Sequence, residues 1–172
     1  MADRARTVVI TGASSGFGAA AVRAFADRGD RVWGTMRDAD GRNASKKAEL
    51  EAYSPRIAIA EMDVTDDASV AEGFARILAE GPVDILINNA GIMYIGMTEA
   101  YSVAQAAEQM DTNYFGAIRA MQAVLPSMRA AGSGLIINTS SIAGRVSVPF
   151  FGTYCATKHA LEAYSQSLRY EV

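Results

Sequence analysis

Residues 7–18 read TVVITGASSGFG, a strand pattern that is followed at once by a glycine-rich turn. Residues 8–10 are apolar at every position, which is expected of a strand buried on both faces of a sheet. The residues after the turn take up a helical period. A buried strand, a glycine turn and a helix in this order predict the first unit of a dinucleotide-binding α/β fold.

The glycines of this turn have separate roles in that prediction. Gly12 permits a tight turn, Gly16 lets the backbone approach a pyrophosphate, and Gly18 lets the helix pack closely on the strand. The helix that begins near Phe17 would then point free N–H groups at the phosphates. A glycine-rich turn without a ligand is the alternative, but the place after an apolar strand favours phosphate binding. The spacing is G-x-x-x-G-x-G rather than G-x-G-x-x-G.

The rest of the chain alternates short aliphatic runs with longer runs of helical period, which predicts a parallel sheet covered by helices on both faces. The predicted strands are 7–11, 31–36, 56–62, 83–88 and 134–140, and the predicted helices are 17–28, 44–52, 68–79, 100–131 (with a possible break) and 152–171. We expect a single doubly wound, Rossmann-type α/β domain over residues 1–172. Because such folds typically have about six strands or more, we expect the C-terminal strands to be missing.

The composition is ordinary for a globular protein and limits the range of partners. Of the 172 residues, 50% are hydrophobic and 20% are charged, and the net charge is −3, so no basic surplus suggests nucleic acid. Cys155 is the only cysteine, which excludes an internal disulfide and a cysteine metal cluster, and we predict no metal site. The N-terminus lacks a signal-peptide pattern, and no apolar run approaches the roughly 20 residues of a spanning helix. We expect a cytoplasmic protein without a membrane partner.

Tyr154 and Lys158 lie four positions apart in a predicted helix and therefore share a face. An ammonium beside a phenol favours the phenolate and lowers the pKa of a phenol from about 10. This arrangement suits Tyr154 to work as an acid or base near neutral pH. Lys158 also has the reach and the donors to bind a ribose. Taken alone, however, Y-x-x-x-K is common on solvated helix faces.

Ser141 strengthens the catalytic interpretation of this pair. It follows the fifth predicted strand in the segment NTSS, residues 138–141. The C-terminal ends of parallel strands are where such sheets bind their ligands. A hydroxyl there can donate a hydrogen bond to a substrate carbonyl and stabilise the charge that develops on its oxygen. Ser140 is the neighbour most easily confused with it.

Three motifs occur in order along the chain: TGASSGFG at 11–18, NNAG at 88–91 and YxxxK at 154–158. Together they make the chain resemble the short-chain dehydrogenase/reductase family, from about residue 7 to the end. The resemblance implies a nicotinamide-dependent oxidoreductase that acts on a small-molecule alcohol or carbonyl substrate. The family's C-terminal strands and substrate loop have no counterpart in this sequence, because it ends first.

The resemblance also assigns roles to side chains. Hydride passes between nicotinamide and a substrate carbon whose oxygen is held by Ser141 and Tyr154, and Tyr154 exchanges its proton with that oxygen. Lys158 supports the phenolate and holds the ribose. Asn113 positions a water in a proton relay to the lysine, although a polar residue that bends its helix is the alternative. Asp63 lies against the adenine, and capping of the next helix by Asp63 or a neighbour is the alternative there.

The end of the second predicted strand indicates which dinucleotide binds. An acidic side chain there would accept hydrogen bonds from a ribose 2′-hydroxyl, but this strand ends in Met36-Arg37. A guanidinium can grip a 2′-phosphate through two parallel hydrogen bonds, so Arg37 favours NADP over NAD. The alternative is a solvated Arg37 with Asp38 on the ribose. The expected cofactor contacts are Gly12, Ser14, Ser15, Gly16, Phe17, Gly18, Arg37, Asp63, Val64, Asn88, Ala90, Gly91, Tyr154 and Lys158. For Asn88, a structural role in the sheet is an equal alternative to binding the cofactor's ribose.

Two other functions stay open. A nucleotide-sugar epimerase or dehydratase can share Y-x-x-x-K, although the glycine spacing and the NNAG motif argue against it. A non-catalytic dinucleotide sensor or a truncated product would fit the missing strands, although the complete set of Asn113, Ser141, Tyr154 and Lys158 argues against it.

The predicted helices 100–131 and 152–171 have more apolar surface than they need to cover the sheet. The resemblance implies that they pair around a two-fold axis. We therefore expect a homodimer or a homotetramer.

Overall fold

The computed structural model describes residues 5–172. Its strands are β1 (Thr7–Ile10), β2 (Arg31–Met36), β3 (Ile57–Glu61), β4 (Ile85–Asn88) and β5 (Leu135–Asn138). Its α-helices are α1 (Gly16–Asp27), α2 (Ala44–Tyr53), α3 (Asp67–Ala79), α4 (Val103–Met110), α5 (Gly116–Ala131) and α6 (Gly152–Glu171). A π-helical segment, Asp111–Phe115, joins α4 to α5. None of these described helices combines the length and the apolar character needed to cross a bilayer.

The five strands form one parallel sheet in the order β3-β2-β1-β4-β5. Helices α1 and α2 cover one face, and α3, α5 and α6 cover the other. This arrangement confirms the predicted doubly wound, Rossmann-type fold. The strand order reverses between β1 and β4, so the loops that follow these two strands diverge at the carboxyl edge of the sheet and leave a crevice there.

Strand β1 shows why the central strands are apolar at every position. Val8 and Ile10 pack with Val22 of α1 on one face, whereas Val9 packs with Phe74 of α3 on the other. The three strand residues are all 0% exposed. A strand covered on both sides has no solvated face on which a polar residue could alternate.

Strand β5 is the edge of the sheet, and its two faces differ. Leu135 and Ile137 are 50% and 39% exposed. They pair in register with Ile85 and Ile87, which belong to the face covered by α1 and α2. Within the described chain these two helices do not extend over β5. Ile136 points to the opposite face, where it packs against the core formed with α5 and α6.

The predicted helix 100–131 is wrong in its detail, whereas every other predicted element lies within two residues of the observed one. Ser102 ends the preceding loop because its side chain accepts a hydrogen bond from the Gln105 backbone, and the Gln105 side chain accepts one from the Ser102 backbone. This capping box starts α4 at Val103. The following π-helical segment, Asp111–Phe115, widens the helix by one residue, and such bulges are frequent at functional sites.

Candidate active site

The turn after β1 lies directly against the loop after β4. Gly12 has φ 69°, and a Cβ atom added to it would lie 2.7 Å from the Cα of Ala90. A Cβ added to Gly18 would strike the Gly12 carbonyl oxygen and the Asn89 side-chain amide. Gly16 has φ 56°, but a Cβ there would meet nothing within 4 Å. Gly12 and Gly18 are therefore required by close packing, and Gly16 is required by its left-handed conformation while its surroundings stay open.

The two neighbouring asparagines of the NNAG motif have different hydrogen-bond partners. The Asn89 backbone donates to the Thr11 hydroxyl (3.0 Å), and its side chain donates to the carbonyls of Thr11 (3.0 Å) and Gly12 (3.1 Å). Asn89, which the sequence did not single out, thus fastens the β4 loop to the glycine turn. Asn88 is buried, and its side chain donates to Asn138 across β4 and β5 (2.8 Å). Its side chain supports the sheet and does not line the crevice.

A cleft of about 360 Å³ occupies the crevice at the carboxyl ends of β1 to β4. Of the predicted cofactor contacts, Gly12, Ser14, Ser15, Arg37, Asp63, Val64, Ala90 and Gly91 line it. Gly16, Phe17, Gly18, Asn88, Tyr154 and Lys158 do not. Phe17 points into solvent and is 85% exposed. Within residues 5–172, no three His, Cys, Asp or Glu side chains are grouped in a way that could hold a metal ion.

The part of the cleft at the start of α1 suits a pyrophosphate, the group that the glycine turn predicts. Helix α1 begins at Gly16, and the first N–H groups of a helix have no acceptor within it. Ser15 occupies the capping position in an extended conformation, but its side chain makes no capping hydrogen bond. Ser14 and Ser15 both line the cleft. Backbone donors, hydroxyl donors and the positive end of the helix dipole therefore meet where a pyrophosphate would be held.

Asp63 is held as a carboxylate at the other end of the cleft. Its burial disfavours the charged form, but hydrogen bonds from the Thr65 backbone (3.0 Å) and hydroxyl (2.7 Å), together with the charge of Arg37, outweigh burial and lower the Asp63 pKa. The cap of α3 is Asp66, whose side chain accepts from the Ser69 backbone (2.8 Å). Helix capping is thus accomplished by Asp66, and the Asp63 carboxylate faces the cleft.

Arg37 lies at the rim of the cleft with its side chain 52% exposed, and its guanidinium is 3.7 Å from the Asp63 carboxylate. An exposed pair at this distance is weak. Asp38, the alternative ribose acceptor, does not line the cleft; its carboxylate accepts from the Arg42 backbone (3.1 Å). Asp38 has φ 49°, and the turn it forms brings Arg42 and Asn43 into the cleft wall. Neither residue is predicted from the sequence, because this turn depends on a left-handed aspartate.

Tyr154 and Lys158 share one face of α6. The Lys158 ammonium lies 5.6 Å from the centre of the Tyr154 ring and donates to the Thr139 carbonyl at the end of β5 (2.7 Å). Lys158 is buried, and this burial lowers its pKa. Tyr154 is partly exposed, and its ring packs edge-on against Phe151 at 6.4 Å. The helix thus presents a phenol with a cation beside it at the carboxyl edge of the sheet.

Ser140 and Ser141 differ in the surroundings of their hydroxyls. The Ser140 hydroxyl is buried without a hydrogen-bond partner in residues 5–172, and a Cβ added to Gly144 would lie 2.8 Å from it. Ser141 is partly exposed, and its hydroxyl accepts from the Ala143 backbone (3.1 Å). The short 3₁₀ turn that Ser141 begins, Ile142–Gly144, packs on α6. Since the Ser141 hydroxyl acts as an acceptor toward the Ala143 backbone, its own proton stays available for donation.

Asn113 connects the cleft to the helix that carries Tyr154 and Lys158. It is buried at the centre of the π-helical segment. Its side-chain oxygen accepts from the Ile92 backbone (2.8 Å), and its amide donates to the Ile92 carbonyl (2.8 Å) and the Thr157 hydroxyl (3.1 Å). Ile92 lines the cleft, and Thr157 precedes Lys158. Asn113 therefore reaches helix α6 through Thr157.

Known proteins resemble the chain in sequence and in structure. The sequence model of the family described as short chain dehydrogenase matches residues 6–172. Retinol dehydrogenase 8 of Bos taurus is 41% identical over 98% of this chain and 54% of its own length. The 3-ketodihydrosphingosine reductase of Bacteroides thetaiotaomicron is 40% identical over 96% of this chain and 58% of its own. The chain thus spans somewhat more than half the length of these relatives.

A solved structure agrees with the fold. The crystal structure of a metagenomic short-chain oxidoreductase in complex with NADP superposes on this chain with a TM-score of 0.88 at 30% identity. The match covers 96% of this chain and 76% of that one.

Gly12 and Gly16 offer a matched test of the packing argument. Gly12→Ala combines about 1–2 kcal/mol of left-handed strain with about 1–3 kcal/mol of overpacking against Ala90. Gly16→Ala carries only the first cost. We therefore expect Gly12→Ala to lower the free energy of unfolding in urea by clearly more than Gly16→Ala does. Equal losses in the two variants would mean that the approach of the two loops is not close.

Proposed function

The chain belongs to the short-chain dehydrogenase family, and on that basis we propose that it transfers a hydride between NADP(H) and an apolar alcohol or ketone. The observation that carries the proposal is the connection between two parts of the molecule. Ile92 lies in the wall of a cleft suited to a dinucleotide. Hydrogen bonds through Asn113 connect Ile92 to the helix that bears Tyr154 and Lys158.

The choice of NADP rests on Arg37. Its weak, exposed pairing with Asp63 leaves the guanidinium able to turn toward a 2′-phosphate at the rim of the cleft. A phosphate would gain a charge-assisted, bidentate contact that a 2′-hydroxyl lacks. Arg42 lines the same wall and adds to its positive charge. The similar metagenomic oxidoreductase, which is in complex with NADP, supports the same choice.

The side chains of this proposal act on the substrate oxygen. The Tyr154 hydroxyl donates its proton to that oxygen during reduction and takes a proton back during oxidation. The Ser141 hydroxyl donates a hydrogen bond to the same oxygen and orients it. The Lys158 ammonium, 5.6 Å from the ring, stabilises the phenolate and has further N–H groups for a ribose. The nicotinamide, when bound, supplies or accepts the hydride.

The proposed substrate class follows from the surface of the loops that adjoin the start of α6. Seven large apolar side chains, each 37% to 76% exposed, lie on the loops that follow β4 and β5. This apolar rim consists of Met93, Ile95, Met97, Ile142, Val146, Val148 and Phe150. A hydrogen bond from the Gly96 backbone to the Phe150 carbonyl (3.0 Å) joins the two loops. Exposed apolar patches of this kind favour apolar ligands, and the two similar enzymes named for retinol and 3-ketodihydrosphingosine support this class.

Arg37→Ala tests the cofactor assignment. Hydrogen bonds to charged groups contribute about 1.5–3 kcal/mol, so the Kd of NADPH should rise about 10-fold or more. The Kd of NADH should change less than about 2-fold, because NADH has no 2′-phosphate. Arg129→Ala, which removes an exposed arginine near the end of α5, controls for net charge. Equal losses for both cofactors, or a wild-type protein that prefers NADH, would contradict the assignment.

Tyr154→Phe tests the acid–base role with little change in shape. General acid–base groups contribute roughly 10²–10⁴-fold in rate, so turnover of an apolar ketone should fall by that factor. The Kd of NADPH should stay nearly unchanged. The turnover rate is measured from the oxidation of NADPH, and the binding of NADPH is measured from the fluorescence of the cofactor. A variant with most of its activity would move the acid role elsewhere, and a wild type that binds NADPH without any turnover would favour a sensor.

A series of straight-chain ketones tests the apolar rim. Each buried CH₂ group contributes about 0.8 kcal/mol, so kcat/KM should rise about 2- to 4-fold per methylene until the rim is filled. Val146→Ser should reduce this increase. Val103→Ser, which alters an even more exposed valine on α4, should leave it unchanged. A flat series, or the same response in both variants, would argue for a polar substrate.

A further inference from the structure

Thr157 makes two hydrogen bonds that tie separate elements together. Its side chain is fully buried. The hydroxyl donates to the carbonyl of Tyr154 (2.8 Å) and accepts from the Asn113 side-chain amide (3.1 Å). A hydroxyl has one proton to donate, so the direction of both bonds is fixed. Thr157 therefore joins the turn of α6 that carries the phenol to the π-helical segment.

The other end of this connection is equally constrained. Asn113 uses its two amide protons on Thr157 and the Ile92 carbonyl, and its oxygen accepts from the Ile92 backbone. The buried Gln109 side chain also donates to the Ile92 carbonyl (3.3 Å). Because the Asn113 amide has no spare proton, it cannot turn without breaking several bonds at once. Ile92 and Thr157 are thus held at a fixed separation.

The position of Tyr154 depends on this separation. Helix α6 begins at Gly152, so Tyr154 lies in its first turn, where the helix has few hydrogen bonds of its own. The bond from the Thr157 hydroxyl to the Tyr154 carbonyl anchors that turn. Ile92 lies in the wall of the dinucleotide cleft. The path from Tyr154 through Thr157 and Asn113 to Ile92 therefore runs between the phenol and the cleft.

We propose that Thr157 is a positioning residue that sets the distance between the Tyr154 phenol and the cleft. Its effect on the rate rests on the proposed function, whereas its effect on the position of the phenol does not. A misplacement of about 1 Å in a reacting group can cost roughly 100-fold in rate. The removal of the Thr157 hydroxyl should thus slow the proton transfer more than it weakens the binding of NADPH.

The test compares three variants with the wild type. Thr157→Val keeps the shape and removes the hydroxyl, Thr157→Ser keeps the hydroxyl, and Thr35→Val removes a buried hydroxyl that has no partner among the described residues. The readouts are kcat, the Kd of NADPH and the ¹⁹F signal of Tyr154 in protein labelled with 3-fluorotyrosine. The signal is assigned with Tyr154→Phe, because the chain has seven tyrosines.

Thr157→Val should lower kcat at least about 10-fold while the Kd of NADPH changes less than about 3-fold, and it should shift or broaden the Tyr154 signal. Thr157→Ser should restore both the rate and the signal, and Thr35→Val should alter neither. If Thr157→Val does not fold, Thr157→Ala takes its place against the same serine variant.

A Tyr154 signal and a kcat unchanged in Thr157→Val would overturn the proposal. Equal effects of Thr157→Val and Thr157→Ser would also overturn it, because packing rather than the hydroxyl would then be responsible. A wild type without turnover would instead contradict the proposed function. The ¹⁹F signal alone would then decide the role of Thr157, since it reports the surroundings of the phenol without any reaction.

Discussion

The turn after β1 lies against the loop after β4 with no room for a Cβ atom at Gly12 or Gly18. Asn89 fastens this contact through the Thr11 hydroxyl and two backbone carbonyls. Because the strand order reverses at this point, the loops open into a cleft just beyond the contact. This contact between the two loops places Gly91 and Ile92 in the wall of the cleft. It thereby also sets the start of the hydrogen-bonded path from Ile92 to α6.

The cleft and helix α6 come from distant parts of the chain, and buried polar groups join them. The π-helical segment turns Asn113 inward, where it bonds to both Ile92 and Thr157. At the other side of the site, Lys158 is fixed by its bond to the Thr139 carbonyl at the end of β5. Buried amide and hydroxyl groups are costly unless they are paired, so these bonds hold α6 in one position on the sheet.

The sequence predicted what is encoded locally. Apolar runs without alternation identified the buried strands, and the four-residue spacing of Tyr154 and Lys158 identified a shared helix face. Features that depend on tertiary contacts could not be predicted. Asn88 and Asn89 are identical and adjacent, and only the end of β4 decides which supports the sheet and which fastens the turn. The left-handed residue of the turn that brings Arg42 to the cleft is Asp38 rather than a glycine, so the sequence does not mark this conformation. The two-fold pairing and the cytoplasmic location stay predictions.

In the proposed function, the residues joined to this cleft direct a hydride to a carbonyl carbon. The most direct measurement supplies NADPH with deuterium at both C4 positions of the nicotinamide, together with a long-chain ketone, and locates the label in the product. Because the hydride comes from C4 of the nicotinamide, we expect an alcohol that carries one deuterium on the carbinol carbon. An alcohol without deuterium at that carbon, or tight binding of NADPH with no alcohol formed, would contradict it.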